Sequence, residues 1–189
     1  MMKKLLWVLI LAVLVTGGAF AEWYDSYAPG IEGSKIFING GIGIGTLPYK
    51  MSIPAITASA EYALPITMPI SVGAFIGYTA YDEDITQYNN FKGSMFGIGA
   101  RASYHFNFMR NLDPYASLTL GYVVHSQKST AQVPGLPGSG SVSAENNLSF
   151  FMFGIHAGAR YFFTDMLGAY VEAGFGPIHL VSVGVSIKL

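Results

Sequence analysis

The last eleven residues, His179 to Leu189, alternate strictly. Val181, Val183, Val185, Ile187 and Leu189 share one parity, and Ser182, Gly184, Ser186 and Lys188 share the other. An extended strand sends successive side chains to opposite faces, so this segment has one apolar face and one small or polar face. The pattern recurs seven times upstream. In 35–46, Ile36, Ile38, Ile42 and Ile44 oppose Asn39, Gly41, Gly43 and Gly45. Segment 53–64 sets Ile56, Ala58, Ala60 and Tyr62 against Thr57, Ser59 and Glu61, and 69–81 sets Ile70, Val72, Ala74, Ile76 and Tyr78 against Ser71, Gly73, Gly77 and Thr79. Segments 95–106, 115–126, 149–163 and 167–176 repeat it, placing Arg101, His105, His125, His156, Arg160 and Glu172 on the polar face. Eight strands of roughly ten to fifteen residues follow, where globular strands average about five or six. That is the length a tilted strand needs to cross a bilayer. An even number also lets an antiparallel sheet close on itself without leaving an edge in lipid.

Composition narrows the choice. The chain is 51% hydrophobic and only 11% charged, yet beyond residue 21 no apolar run is long enough for a spanning helix. So little charge excludes disorder, and a net charge of -1 leaves no nucleic-acid footprint. With no Cys there is no disulfide, thiolate zinc site or thiol nucleophile. A soluble lipocalin-like barrel would share the period, but it would carry its charges on the solvated outer face. Here the apolar face is nearly uncharged, and the opposite face holds the strand charges and many glycines. The reading is an all-β, eight-stranded antiparallel up-and-down transmembrane β-barrel.

Residues 1–21 read as a cleaved signal peptide: Lys3 and Lys4, an apolar run from Leu5 to Val15, then Ala19-Phe20-Ala21 as an A-x-A site. Cleavage removes two of ten basic residues, leaving eight against eleven acidic, a balance of -3. Residues 22–34 form an N-terminal periplasmic segment and 35–189 the barrel, with both termini periplasmic. That orientation makes 82–94 and 127–148 long external loops, and 65–68, 107–114 and 164–166 inward turns. Aromatics at the apolar-face ends form two girdles. Tyr62, Tyr104, Phe106, Tyr161 and Phe163 lie toward the periplasm; Tyr78, Phe96, Tyr122, Phe151 and Phe175 lie toward the outside.

An eight-stranded lumen is filled by side chains. Glu61, Arg101, Arg160 and Glu172 point inward near periplasmic turns, and two acids with two bases at one depth favour a paired plug. A hairpin about 164–166 makes Arg160 and Glu172 direct cross-strand neighbours. His105 and His156 read as hydrogen-bonded lumen residues rather than metal ligands, and no metal or cofactor is expected. Asp82, Glu83 and Asp84 are read as a solvated loop run rather than a divalent-cation site. His125-Ser126 lacks a nucleophile elbow, so no enzyme is expected, and the glycine run 39–45 lacks dinucleotide-loop spacing.

By pattern and topology over the whole mature chain, the sequence resembles the small eight-stranded outer-membrane proteins of the OmpX and OmpW type and the OmpA membrane domain. The alternating terminal strand, with Val185, Ile187 and Leu189, resembles the signal read by the barrel assembly machinery, although Leu189 replaces the usual Phe. No OmpA-like peptidoglycan-binding domain is expected after it. The resemblance implies outer-membrane localisation, contact with outer-membrane lipid and the assembly machinery, and a monomer. Its expected role is structural or surface-interacting, with a host or environmental ligand met by the external loops. A narrow OmpW-like passive transporter is the alternative, though the charged lumen argues against apolar cargo. A lipid-modifying rim enzyme is the remote one.

Overall fold

The computed structural model describes residues 34–45, 51–86, 89–106, 111–132 and 141–189, at 83–86, 89–90, 131–132 and 141–142 by their backbone alone. The expected signal peptide (1–21) and, apart from Ser34, the segment 22–34 lie outside these residues. Eight strands run in chain order: β1 (Ile36–Ile44), β2 (Met51–Ala63), β3 (Ile70–Thr86), β4 (Asn89–His105), β5 (Leu112–Gln132), β6 (Ser141–Phe162), β7 (Leu167–Phe175) and β8 (Val181–Lys188). Each pairs antiparallel with the next, and β1 pairs with β8 to close a barrel. At the seam Ile36 and Leu189 exchange two backbone hydrogen bonds of 2.9 Å. Among the described residues, no helix is long and apolar enough to cross a membrane.

Parity decides the faces as the alternation implies. Along β1, Ile36, Ile38, Ile42 and Ile44 are 41–58% exposed on the outer wall, while Phe37 and Asn39 are buried inside. Inside, large rings alternate with glycines, since eight strands leave little room. The Tyr115 ring lies across Gly158, its direct cross-strand neighbour, so that a Cβ on Gly158 would come within 2.6 Å of it. Tyr81 covers Gly93 in the same way.

The strands are unequal. β1, β7 and β8 have nine, nine and eight residues, while β3 and β4 have 17, β5 has 21 and β6 has 22. This corrects the expected loops 82–94 and 127–148: most of both belongs to strands, with β3 continuing to Thr86 and β5 to Gln132. The cross-strand pairs Asp82–Lys92 (2.8 Å), Lys128–Glu145 (3.0 Å) and Thr130–Ser143 (3.2 Å) hold the extended hairpins together. Where both faces of a sheet meet water, hydrophobic alternation vanishes although the strand persists. The expected turn 107–114 is also too long, because β5 begins at Leu112. Asp113-Pro114 reads as a turn signal but lies in the ladder, opposite Arg160 and Ala159.

The connection from β7 to β8 turns inward. Ile178 and His179 are each 1% exposed, and Ile178 packs with Ala55, Phe75, Met95, Val123 and Met152 as an apolar layer. Two backbone bonds pin this connection, Gly174 N to Leu180 O and Leu180 N to Ile44 O, both 2.8 Å.

Candidate functional site

Between the apolar layer and the turns beside the termini lies a buried charge network. β6 carries Arg160, which is fully buried. Its Nη2 donates to Glu61 Oε1 (2.7 Å), Nη1 to Asp113 Oδ2 (2.9 Å) and Nε to Asn39 Oδ1 (3.1 Å). The guanidinium lies 4.2 Å from the Tyr115 ring centre and 4.9 Å from that of Phe37. Cation and ring faces attract, so its planar surfaces are covered as well as its edges. Glu61 Oε2 accepts from Ser71 (2.9 Å) and from Ser103. His105 bridges Asp113 Oδ1 and Ser71 Oγ, both at 2.8 Å.

A second knot centres on Glu172. Arg101 grips it bidentately: Nη1 donates to Oε1 at 3.2 Å and Nη2 to Oε2. Tyr115 donates its hydroxyl to Oε2 (2.8 Å), and His179 Nε2 meets Oε1 at 3.0 Å. Arg101 Nε lies 3.3 Å from Glu61 Oε1, joining the two knots at ion-pair range but without hydrogen-bond alignment. Burying ionised groups costs several kcal/mol each, and pairing each with an opposite charge and further hydrogen bonds offsets it. The polar layer keeps a cavity of about 10 Å³ beside Asn39, Thr57, Arg101 and Tyr170, room for about one water.

The four charged residues expected inside, Glu61, Arg101, Arg160 and Glu172, are therefore brought together. The expected direct pairing of Arg160 with Glu172 does not occur. Arg160 lies opposite Tyr170, and Glu172 opposite Gly158. The hairpin is centred on residue 165, the middle of the expected turn 164–166, and that centre pairs 160 with 170; pairing 160 with 172 would need a centre one residue later. Arg160 instead spans the lumen to Glu61, and Glu172 takes Arg101. Sequence reasoning missed Asp113, Tyr115 and His179. Extending the β5 alternation back through Ser117, Tyr115 and Asp113 would have found the first two. By parity His179 belongs to the lipid face, and only the inward turn puts it in the lumen.

Beyond the apolar layer the long hairpins carry an open cup of about 640 Å³, lined by Tyr78, Asp82, Lys92, Lys128 and Glu145 among others, which share the outer-face parity of Phe96 and Val124, with Tyr81 at its wall. Asp82 is paired there with Lys92; the side chains of Glu83 and Asp84 lie outside the described set. His125 Nε2 is bonded to the Tyr81 hydroxyl. Ser126 lines the cup, and no hydrogen bond joins it to His125 among the described residues.

Comparison with known proteins agrees with this architecture. The sequence profile of the outer membrane protein beta-barrel domain matches residues 8–184, most of the chain. The chain belongs to that family. It is an outer-membrane β-barrel protein of the small eight-stranded kind. No curated protein matches it in sequence. Among solved structures it is similar to the N-terminal β-barrel domain of Pseudomonas aeruginosa OprF (18% identity, TM-score 0.45, 84% of this chain and 98% of that one). It is also similar to Ail, the attachment invasion locus protein of Yersinia pestis (13%, 0.48, 84% and 96%). A third is Neisserial surface protein A (17%, 0.43, 82% and 94%).

On the outer wall of this outer-membrane barrel, all ten aromatics named from the sequence are 36–64% exposed. Tyr62, Tyr104, Phe106, Tyr161 and Phe163 lie at the end that holds the termini. Tyr104–Phe106 and Tyr161–Phe163 pack edge to face, with centroids 5.2 and 5.6 Å apart. Tyr78 and Phe96 are cross-strand partners farther along, as are Tyr122 and Phe151, and Phe175 ends β7. From Phe96 to Tyr104 is about 26 Å along β4 at about 3.3 Å per residue. A tilt of about 40° reduces that to roughly 20 Å, near the height of the apolar band of such barrels. Beyond Tyr122 and Phe151 the β5–β6 hairpin runs on to Gln132 and from Ser141.

Proposed function

We propose that this outer-membrane barrel has a structural or surface-interaction role, carried by the sheet of β3–β6 that stands beyond the aromatic belt. Both termini face the periplasm, and the charged network closes the lumen. The observation that carries this reading is an open sheet edge. Among the described residues, β7 pairs with β6 only from Ile155 to Phe162, so β6 from residue 141 to the belt at Phe151 has β5 on one side and no strand on the other. A row of free backbone donors and acceptors accepts an added strand from a partner. Inside a membrane such an edge costs several kcal/mol per unsatisfied group, so it belongs in water. A host or environmental ligand with an exposed extended segment is the partner this edge fits.

The aromatic belts act as interfacial anchors in outer-membrane lipid. Val185, Ile187 and Leu189 on the outer face of β8 act as the signal to the assembly machinery, and the barrel works as a monomer. The paired charges and the apolar layer around Ile178 support a sealed lumen over a narrow passive transporter. The Tyr81–His125 bond engages the histidine that a rim enzyme would need.

The absence of Cys makes the test direct. Single cysteines at Ser129 and Asp165 are labelled in intact cells with a membrane-impermeant maleimide. Labelling at 129 but not at 165 is expected, and the reverse overturns the orientation. Planar-bilayer recording of the parent should show negligible conductance; a steady open current favours the transporter reading.

A further inference from the structure

We infer that His156, Glu172 and His179 form a binding site for one divalent transition-metal ion, with zinc the best match, in the heart of the lumen. One ligand atom from each residue lies within 4.8 Å of the others, and all three residues are buried. His179 Nε2 is 3.0 Å from Glu172 Oε1, and His156 Nδ1 is 4.0 Å from the same oxygen. A four-coordinate zinc ion with bonds of about 2.0–2.2 Å holds its ligands roughly 3.3–3.5 Å apart, a spacing that lies between the two distances to Glu172 Oε1.

The orientation of His156 carries the argument. Its Nε2 lies 3.3 Å from the backbone oxygen of His179, an acceptor only, so the hydrogen of the neutral ring is on Nε2. Nδ1 is then a lone pair with no hydrogen-bond partner, facing a carboxylate. Two electron-rich atoms held together in a dry interior repel unless a cation stands between them. A histidine anchored to a backbone carbonyl through its other nitrogen is also the usual support of a metal ligand. His179 donates from Nε2 to Glu172, and its Nδ1 is the other unpartnered ring nitrogen. Moving its hydrogen from Nε2 to Nδ1 frees the ligand atom without loss of a proton.

The surroundings agree. Glycines make the slot for the His156 ring: a Cβ on Gly154, Gly174 or Gly176 would lie 3.2, 2.9 or 3.0 Å from ring atoms. Across the described network three carboxylates, Glu61, Asp113 and Glu172, face two guanidiniums, Arg101 and Arg160, an excess of one negative charge before histidines or cations are counted. The two imidazoles are stacked, with centroids 4.3 Å apart and planes 11° apart. Parallel rings do not aim two in-plane lone pairs at a common point, so capture turns one ring out of the stack. Two nitrogens and one carboxylate oxygen suit zinc, cobalt or nickel, and not magnesium or calcium, which prefer oxygen ligands. The ion would tie the inward connection 176–180 to β6 and β7.

The test uses untagged full-length mature barrel folded in detergent micelles with zinc chloride, then passed through a chelating column and a sizing column. Elemental analysis should find one zinc per chain, and none after the same treatment with magnesium. Cobalt loading should give the intense visible bands of a four-coordinate site. His156→Asn and His179→Asn should each reduce retained zinc at least tenfold, while His125→Asn, beside Tyr81 and away from the site, retains it. Folding is checked by gel mobility without heating. If a variant fails to fold, the parent alone decides: zinc should raise its urea midpoint and magnesium should not. Retention well below one ion per chain, six-coordinate cobalt spectra, zinc that survives loss of His179, or a urea midpoint indifferent to zinc would each overturn the site.

Discussion

Replacing Arg160 with Met tests whether the lumen is a dry, paired network or a wet channel lined with charges. The guanidinium is fully buried and makes three hydrogen bonds, to Glu61, Asp113 and Asn39. Met fills much of its volume without charge. The excess over the described carboxylates and guanidiniums then grows from one negative charge to two, in a place water hardly reaches. Removing one partner of a buried ion pair costs about 3–5 kcal/mol, chiefly because the surviving charge is stranded. At about 1.4 kcal/mol per decade, that is roughly two to three and a half decades in the folding equilibrium. Urea titration in phospholipid vesicles measures it, with the folded fraction read from gel mobility without heating. Adding Asp113→Asn to Arg160→Met removes a stranded carboxylate and should restore part of the loss. The coupling between the two changes should fall in the range of about 0.5–3 kcal/mol found for groups in one network. A loss below about 1 kcal/mol for Arg160→Met, with no coupling to Asp113, would refute the dry network.

Three further outcomes follow from the same geometry. Leu120→Lys, near the middle of the outer wall, should destabilise the folded barrel by about 2–4 kcal/mol in vesicles; Leu148→Lys, on the hairpin beyond the belt, should change it by less than about 0.5 kcal/mol. A Cβ on Gly73 would fall on the backbone carbonyl of Ala60, whereas one on Gly40 meets nothing within 4 Å. Gly73→Ala should therefore cost about 1–3 kcal/mol or more in urea, and Gly40→Ala almost nothing. Deleting Leu189 removes both backbone bonds that end the β1–β8 seam and the last residue of the proposed assembly signal. The folded, outer-membrane fraction in cells should fall, as read by unheated gel mobility of membrane fractions.

Wherever one face of a strand meets lipid and the other the lumen, the sequence is legible, because the two environments select different residues at alternate positions. β8 and β1 are legible in this way residue by residue, and so is the inward parity of Glu61, Arg101, Arg160 and Glu172, which are buried. Legibility fails where that contrast fails. Lys92, Lys128 and Glu145 lie in strands with water nearby on both faces, so their alternation carries no hydrophobic signal and they read as loop. It fails again at Asp113, where an Asp-Pro pair imitates a turn. Register is the finest level, and the wrong pairing of Arg160 with Glu172 shows why. The turn 164–166 lies where the sequence puts it, but pairs two positions apart keep every side chain on the same face, so burial patterns alone do not choose Tyr170 over Glu172 as the partner of Arg160.

The inward connection at 176–180 links the interior to the exposed edge. Gly176-Pro177 ends β7: proline has no N–H for the ladder, and at 176 a side chain would crowd the His156 ring. Leaving the wall there lets the chain deliver Ile178 to the apolar layer and His179 to Glu172. It also withdraws the strand that would otherwise have continued alongside β6 beyond Ile155. Had β7 kept pace with β6, residues 141–151 would have a neighbour on each side, and the lumen would lack two of its buried side chains. The free edge in the proposed interaction surface and the seal in the proposed closed lumen are thus two results of a single turn. A change that straightens it should alter both together.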